Sequence, residues 1–316
     1  MDCSIIICTR NRAAMLEKTL QAFQAVTVPR DWQVEMIVAD NGSTDRTAEV
    51  VKSASHAAIE IRHVYESRPG KSRAQNTALA QAGGEALLFT DDDVEPSDSW
   101  VEKMARPLLE HRCEAVTGRI LLAEDVLRPW FTNLHGIWLA EVREPAGSPA
   151  GLVGASMGIH RSVFEKIDHF DEALGPGATG FGEETLLWMQ MMEAGMRIHP
   201  VNDTYVIHHP EPARLLRSSW LAGAAQRGRT NAYVMHHWEH ARVPYPALHA
   251  LLIRIKLSLR RLARRTPRLD AEGCPDWEMS YLTRIESLQR FIEESRGPRN
   301  YELRALRRKT PTSSCP

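Results

Sequence analysis

Hydrophobic and polar positions along the chain fall into repeating blocks. Ile5-Ile6-Ile7 is a continuous β-branched run, as expected of a strand buried on both faces of a parallel sheet, and Ala13 to Phe23 then reads as a helix. A second unit follows, with a strand at Val34 to Ala39 and a helix at Thr44 to Ala54. Asp45 and Glu49 lie on its early turns, where the helix dipole favours acids. Ile59 to Tyr65 is a weaker third strand, Ser72 to Ala82 a third helix, and Ala86 to Thr90 a fourth strand that stops at Asp91-Asp92-Asp93. This alternation predicts a Rossmann-like α/β fold with a mostly parallel sheet whose ligands lie beyond the strand carboxyl ends. The polar loops fall at those ends.

Past residue 95 the pattern loosens. It predicts a helix around Ser99 to His111, strands at Glu114 to Leu122 and Gly151 to His160, and a Gly-rich loop from Gly175 to Gly182. A helix from Glu184 to Ala194 ends at Gly195 in the usual stop position, and Val201 to His208 is strand-like. From about Ala213 the chain reads mainly as helix. The expected organisation is a catalytic domain over 1–215, divided near residue 95, and a helical, basic extension over 216–316.

Composition and charge narrow the function. The 316 residues carry 39 Lys+Arg against 40 Asp+Glu, a net charge of −1 that excludes a globally basic nucleic-acid binder. Cys3, Cys8, Cys113, Cys274 and Cys315 form no C-x-x-C pair, which suits a reduced, cytoplasmic protein. The first residues lack the basic region and cleavage site of a signal peptide, and no apolar run is long enough to cross a bilayer.

The strongest chemical constellation is Thr90-Asp91-Asp92-Asp93-Val94. Adjacent carboxylates repel one another, so a compensating cation is implied. In an extended segment Asp91 and Asp93 point to the same side, where one binds a divalent ion and the other a sugar or ribose hydroxyl. Few, hard oxygen ligands suit Mg²⁺ or Mn²⁺ held jointly with substrate phosphates. A solvated acidic turn is the plain alternative.

Four segments, Ile5 to Arg12, Asp40 to Thr47, Arg68 to Asn76 and Leu88 to Val94, resemble in order and spacing the nucleotide-binding half of the family 2 glycosyltransferases, which have the GT-A fold. Gly154 to Met157, His169 to Glu172, Gly182 to Leu187 and Val206 to His208 continue the likeness, which covers roughly residues 2–215. The resemblance implies an inverting transferase that moves a sugar from a nucleotide-diphosphate sugar, a UDP-sugar being favoured, to a hydroxyl of a saccharide, lipid-linked or small-molecule acceptor. It implies that Thr9, Arg10 and Asn11 face the nucleotide and that Asp40 reads the base. Gly70, Lys71 and Arg73 would meet base or diphosphate, with Asp91 and Asp92 beside the donor. Asp93, with Asp91 and His208, would hold the metal, although His209 adjoins the last. Gly154, Ala155 and Ser156 would floor the sugar site. Trp130, Trp138 and Trp188 could each stack on a sugar face or belong to the core.

An inverting transfer needs a base that deprotonates the acceptor hydroxyl. The family places it in an acidic pair, most often Glu-Asp, before a helix. Here the pair is Glu183-Glu184, so Glu184 occupies the aspartate position and Glu183 is the second candidate. Two rivals follow from the residues. A nucleotidyltransferase would carry a Gly-rich phosphate loop where this chain has Cys8 to Arg12, and a sugar-nucleotide-binding scaffold could have lost its base through the Glu-for-Asp change.

Two further patterns lie outside that likeness. His236 and His240 have the i, i+4 spacing of zinc ligands, but with Glu239 displaced the order fails H-E-x-x-H, which favours a structural role. From Arg242 to Leu269 there are eight basic residues and no acid, and Leu248, Leu251, Leu252, Ile255, Leu259 and Leu262 recur at helical spacing. Such a stripe suits a helix lying on the inner, anionic membrane surface, or one packed on the catalytic domain or on a second subunit. Without those eight charges the remainder of the chain carries −9.

Overall fold

The computed structural model describes residues 1–144, 151–264 and 267–309, so Cys315 and Arg265 lie outside the described residues. The chain divides into two compact units. One holds Met1–Glu165, His169–Ala178 and Glu183–Pro210, and the other holds Lys166–Asp168, Thr179–Gly182 and Glu211–Pro316.

The first unit is built on one mixed sheet. Strand β1 (Cys3–Thr9) is followed by helix α1 (Ala13–Ala22), β2 (Val34–Asp40) by α2 (Thr47–Ser53), and β3 (Ile59–Tyr65) by α3 (Lys71–Gln81). Then come β4 (Ala86–Asp91), β5 (Val94–Pro96), α4 (Trp100–Leu109), β6 (Ala115–Leu122), α5 (Asn133–Trp138), β7 (Met157–His160), α6 (Val163–Lys166), α7 (Glu183–Glu193) and β8 (Ile198–His208). The strand order is β3-β2-β1-β4-β7-β6-β8-β5. The first four are parallel, as β-branched runs joined by crossover helices require, and β7 reverses the direction beside β4. Ile5, Ile7, Met36, Val38 and Leu88 in the central strands are wholly buried and pack with Leu16, Trp100 and Met104 from the helices. That core fixes the carboxyl ends of β1, β2 and β4 side by side: Thr9 is in register with Asp40, and Cys8 with Asp91.

Among the differences from the sequence expectation, two have a plain local reason. Helix α2 starts at Thr47 rather than Thr44 because the Asp45 carboxylate accepts from the Thr47 amide and hydroxyl, while Thr44 donates to Asn11. The strand expected from Gly151 shrinks to Met157–His160, because the Ser156 amide turns back to the Val153 carbonyl and ladder pairing begins only at Met157.

The second unit is helical: α8 (Arg217–Tyr233), α9 (Pro246–Arg264) and α10 (Asp276–Glu294). A π-helical turn at Val234–Trp238 follows α8, and the helix ends there, before His240 at φ +54°, so His236 and His240 share no i, i+4 face. Their rings go to separate acceptors, His236 to the Gly297 carbonyl and His240 to the Tyr301 carbonyl, while His237 faces Glu294 at 3.0 Å. The three histidines therefore tie the end of α8 to α10 and the segment after it.

Glu278 on α10 is fully buried and takes the guanidinium groups of Arg217 and, at 2.6 Å, Arg261. Removing one member of a buried, hydrogen-bonded charge group strands the others without water. Glu278→Ala is therefore expected to cost about 3–5 kcal/mol, read as a lower midpoint in urea unfolding. Glu278→Gln, which keeps an acceptor for Arg217, should cost less.

Candidate active site

The first two polar loops are stitched together by Asn11. Its backbone has φ +53°, a left-handed conformation that asparagine tolerates better than most residues. In that geometry its amide donates to Ser43 Oγ at 2.9 Å and its side-chain oxygen accepts from the Thr44 amide at 2.7 Å. Asp40, almost fully buried, accepts from the Ser43 amide at 2.8 Å and faces His63 at 3.2 Å. Arg10 is exposed beside them.

Asn41 organises the third loop. Its side-chain amide donates to the Arg68 carbonyl at 2.7 Å and its oxygen accepts from the Gly70 amide at 2.8 Å. Gly70 adopts φ +134°, which side chains disfavour, and a Cβ on Gly177 would come within 2.9 Å of the Gly70 Cα. These glycines let the start of α3 lie against the 170–178 segment: the Lys71 amide donates to the Pro176 carbonyl and Ser72 Oγ to that of Leu174. Arg73 is held away by Glu172 at 3.1 Å.

The three aspartates are divided between Lys71 and Arg12. Asp91 ends β4 and pairs with Lys71 at 2.8 Å, after which the chain turns at Asp92 and Asp93. Asp92 is buried against Arg12 and accepts from Thr9 Oγ at 2.6 Å, and burial pushes its carboxyl up to about 7 in spite of the arginine. Asp93 binds Arg12 at 2.7 Å through one oxygen and turns the other toward His208 Nε2 at 3.3 Å. Although burial opposes it, His208 and Arg12 hold the Asp93 carboxyl well below the usual carboxylate range. The arrangement of Asp91 and Asp93 on a common side is thus corrected by the turn. Among the described residues Asp91, Asp93 and His208 do not converge within 4.8 Å, which leaves Asp93 and His208 as the facing pair.

That pair fits a divalent ion. His208 Nδ1 lies 2.8 Å from the Leu139 carbonyl, which can only accept, so Nδ1 carries a proton and Nε2 is the nitrogen turned to Asp93. Asp93 Oδ1 is buried and makes no hydrogen bond of its own. His208 Nε2 and this oxygen, 3.3 Å apart, are placed to hold a proton or a cation between them. Two ligands of one Mg²⁺ or Mn²⁺-sized ion, each about 2.1 Å from it and at right angles, lie about 3.0 Å apart. A histidine whose other nitrogen donates to a backbone carbonyl is the usual orientation of a metal-bound imidazole. His209, by contrast, donates its backbone amide to the Asp93 carbonyl and directs its ring toward Glu95.

At the other side of Lys71 stands the acidic pair opening α7. Glu183 is buried, with Oε1 3.9 Å from Lys71 Nζ, and a Cβ on Gly175 would meet its Oε2 at 3.0 Å. Burial and the adjacent Glu184 raise the Glu183 carboxyl well above the ordinary range, against the pull of Lys71. Burial alone would lower the Lys71 ammonium, but Asp91, Glu183 and Glu184 outweigh it and raise it instead. Glu184 is half-buried, and its Oε2 has no hydrogen-bond partner.

The segment expected to floor the sugar site is mixed in character. Gly154 leaves room beside Lys71, whose Nζ would lie 3.4 Å from a Cβ there. The Ala155 carbonyl accepts from Thr90 Oγ. The Ser156 hydroxyl is fully buried and accepts from Trp100 Nε1 at 3.0 Å, so it belongs to the core and is in no position to meet a sugar. Trp130 packs edge-on against Phe131 and His135, and Trp138 and Trp188 are half-buried. Sequence reasoning missed Arg12 and Asn41. The signal for Arg12 was present: three adjacent carboxylates demand positive charge, and Arg12 closes the loop at the neighbouring strand end.

A sheet that turns antiparallel at β7, with a buried Asp-His pair at the end of β4 and an acidic pair at the start of α7, defines a glycosyltransferase of the GT-A fold. The chain belongs to glycosyl transferase family 2, whose family model matches residues 4–168. It is 34% identical over 216 residues to a GalNAc(5)-diNAcBac-PP-undecaprenol beta-1,3-glucosyltransferase of Campylobacter jejuni, covering 67% of each chain. It is 27% identical over 245 residues to the probable glycosyltransferase YdaM of Bacillus subtilis, covering 73% of this chain and 56% of that one. The chain thus spans about half the length of several relatives that it matches. The fold is also that of glucosyl-3-phosphoglycerate synthase from Mycobacterium tuberculosis, solved with Mn²⁺, UDP and glucosyl-3-phosphoglycerate. TM-score is 0.52 at 21% identity, over 74% of this chain and 79% of that one. A mannosyltransferase from Pyrobaculum calidifontis, solved with GDP-Man and Mn²⁺, aligns with TM-score 0.51 at 18% identity over 93% and 73% of the two chains.

Proposed function

We propose that the protein is a divalent-metal-dependent, inverting transferase that moves a sugar from a nucleoside-diphosphate sugar, a UDP-sugar in the favoured reading, to an acceptor hydroxyl. The observation that carries this reading is the buried Asp93 Oδ1, which makes no hydrogen bond, facing His208 Nε2 at 3.3 Å. Asp93 and His208 would hold Mn²⁺ or Mg²⁺, which when bound neutralises the charge growing on the leaving diphosphate. Arg12 holds Asp93 and Asp92 in place as the fixed counter-charge. Thr9, Arg10 and Asn11 border the nucleotide. Asp40 keeps lone pairs for a base N–H, and Gly70 keeps the backbone of the third loop open to close approach.

Glu184 acts as the base. Glu184 is preferred to Glu183 because it is half-buried with an Oε2 that has no hydrogen-bond partner, whereas Glu183 is buried beside Lys71 with its carboxyl raised well above the ordinary range. The role of Glu183 is to position Lys71, which in turn holds Asp91. Glu184 takes the acceptor hydroxyl proton as the oxygen attacks the anomeric carbon. That carbon–oxygen bond forms as the bond to the diphosphate breaks, and the electron pair leaves on the diphosphate. Support for a saccharide or lipid-linked acceptor comes from the Campylobacter relative, whose name specifies an undecaprenol-linked saccharide.

A thermal-shift panel of nucleoside diphosphates and nucleotide sugars tests the donor reading. A ligand at about one hundred times its Kd stabilises the folded state by about 2.7 kcal/mol. A UDP-sugar with Mn²⁺ should raise the melting temperature more than either alone. No shift with any nucleotide sugar and metal would contradict the reading.

A further inference from the structure

Helix α9 is mounted with its apolar side outward. Leu248, Leu251, Leu252, Ile255, Leu259 and Leu262 recur along one stripe and are each 47–81% exposed. At 1.5 Å per residue they extend over about 21 Å of helix. The opposite side is the one that packs on α10: Ala250 and Leu257 are buried. Three arginines pin that side. Arg254 donates to Gln289 at 2.9 Å, Arg261 to Glu278 at 2.6 Å, and the Arg260 guanidinium lies 4.7 Å over the Trp277 ring. An amphipathic helix in water ordinarily turns its leucines to the core and its cations to solvent. Here the arginines hold the inner side, and the leucines are left in contact with water. Tyr245, just before the helix, and Leu269, after it, extend the exposed apolar set.

We propose that this stripe docks in the plane of an anionic lipid bilayer, with α9 parallel to the surface. Charge decides between a bilayer and a second copy of the chain. Arg254, Arg260 and Arg261 are turned inward, but Arg242, Lys256 and Arg264 are exposed and residues 242–269 hold no acid, so pairing two copies of this segment would bring like charges together, whereas an anionic surface complements them. Lys256 and Arg264 are exposed, and Lys256 borders the stripe, where it can reach lipid phosphates while its stem lies on apolar surface. No described helix is long and apolar enough to cross a membrane, so the contact is in-plane. This docking stands apart from the sugar chemistry and can fail while that chemistry holds.

Flotation of the full chain with vesicles tests it, comparing equal parts phosphatidylglycerol and phosphatidylcholine with phosphatidylcholine alone. The protein should float with the anionic vesicles and bind roughly tenfold or more weakly to the neutral ones. Ile255→Glu with Leu259→Glu should lose roughly tenfold or more in binding with an unchanged melting temperature, since both side chains are already exposed. Lys256→Glu with Arg264→Glu should weaken binding to anionic vesicles alone. The proposal is overturned if the wild-type chain stays unbound on anionic vesicles, or if the Ile255/Leu259 variant binds as well as the wild type. It is equally overturned if sedimentation shows a dimer that this variant dissolves while vesicle binding is absent.

Discussion

Glu184→Gln is expected to bind nucleotide sugar as tightly as the wild type and to release nucleoside diphosphate about 10²–10⁴-fold more slowly in the presence of acceptor, the usual contribution of a positioned general base. The substitution keeps the size and one acceptor oxygen but cannot take a proton. The adjacent Glu183→Gln should behave differently. Glu183 is buried and faces Lys71, so glutamine, which keeps its size and an acceptor oxygen, should leave turnover within about tenfold of wild type. Steady-state kinetics on the two variants, with donor affinity measured separately, separate a base from a positioning residue. Equal losses in both would mean that the pair acts as a unit or that Glu183 is the base. Unchanged turnover in Glu184→Gln would remove it from the chemistry. A wild-type chain that binds donor and never turns it over would favour the scaffold reading.

Asp93→Asn should be comparably severe. The amide preserves volume and the fold, because Arg12 keeps its pair with Asp92. It removes the anionic oxygen aimed at His208, and with it the charge that a divalent ion requires. Loss of one element of preorganised electrostatic stabilisation costs about 10²–10³-fold in turnover, and that range is the expected fall in kcat. His208→Ala should fall in the same direction, and raised Mn²⁺ should rescue it in part because the carboxylate remains. By contrast Asp91→Asn, which loosens Lys71 rather than the Asp93–His208 pair, should respond little to added metal. An Asp93→Asn chain with undiminished turnover would contradict the metal reading.

The parallel half of the sheet was legible because both of its faces are covered. A strand buried on two sides is a near-continuous apolar run, and Ile5-Ile6-Ile7 and Met36 to Ala39 show that plainly. Strand β7 was blurred because Gly154-Ala155-Ser156 is as small and apolar as a buried strand, yet its backbone turns to let Thr90 and Trp100 bond to it. For the aspartates, sequence spacing gave the need for positive charge but not its source. The turn at Asp92 and Asp93, and the arrival of Arg12 from the loop after β1, remote in sequence, are tertiary facts. The same holds for α9. Its stripe is plain in the sequence, but which side faces water depends on Glu278, Gln289 and Trp277 on the neighbouring helix. The zinc-like spacing of His236 and His240 failed because the helix ends between them, at the close of a π-helical turn, and His240 takes a left-handed backbone.

The most direct test of the account is a count of bound Mn²⁺ by electron paramagnetic resonance, titrating the metal into the wild-type chain and Asp93→Asn in the presence of UDP. The Asp93–His208 pair predicts one tightly bound ion per wild-type chain and a marked loss of binding in the variant. Equal Mn²⁺ binding in both chains, or none in the wild type with UDP bound, would contradict it.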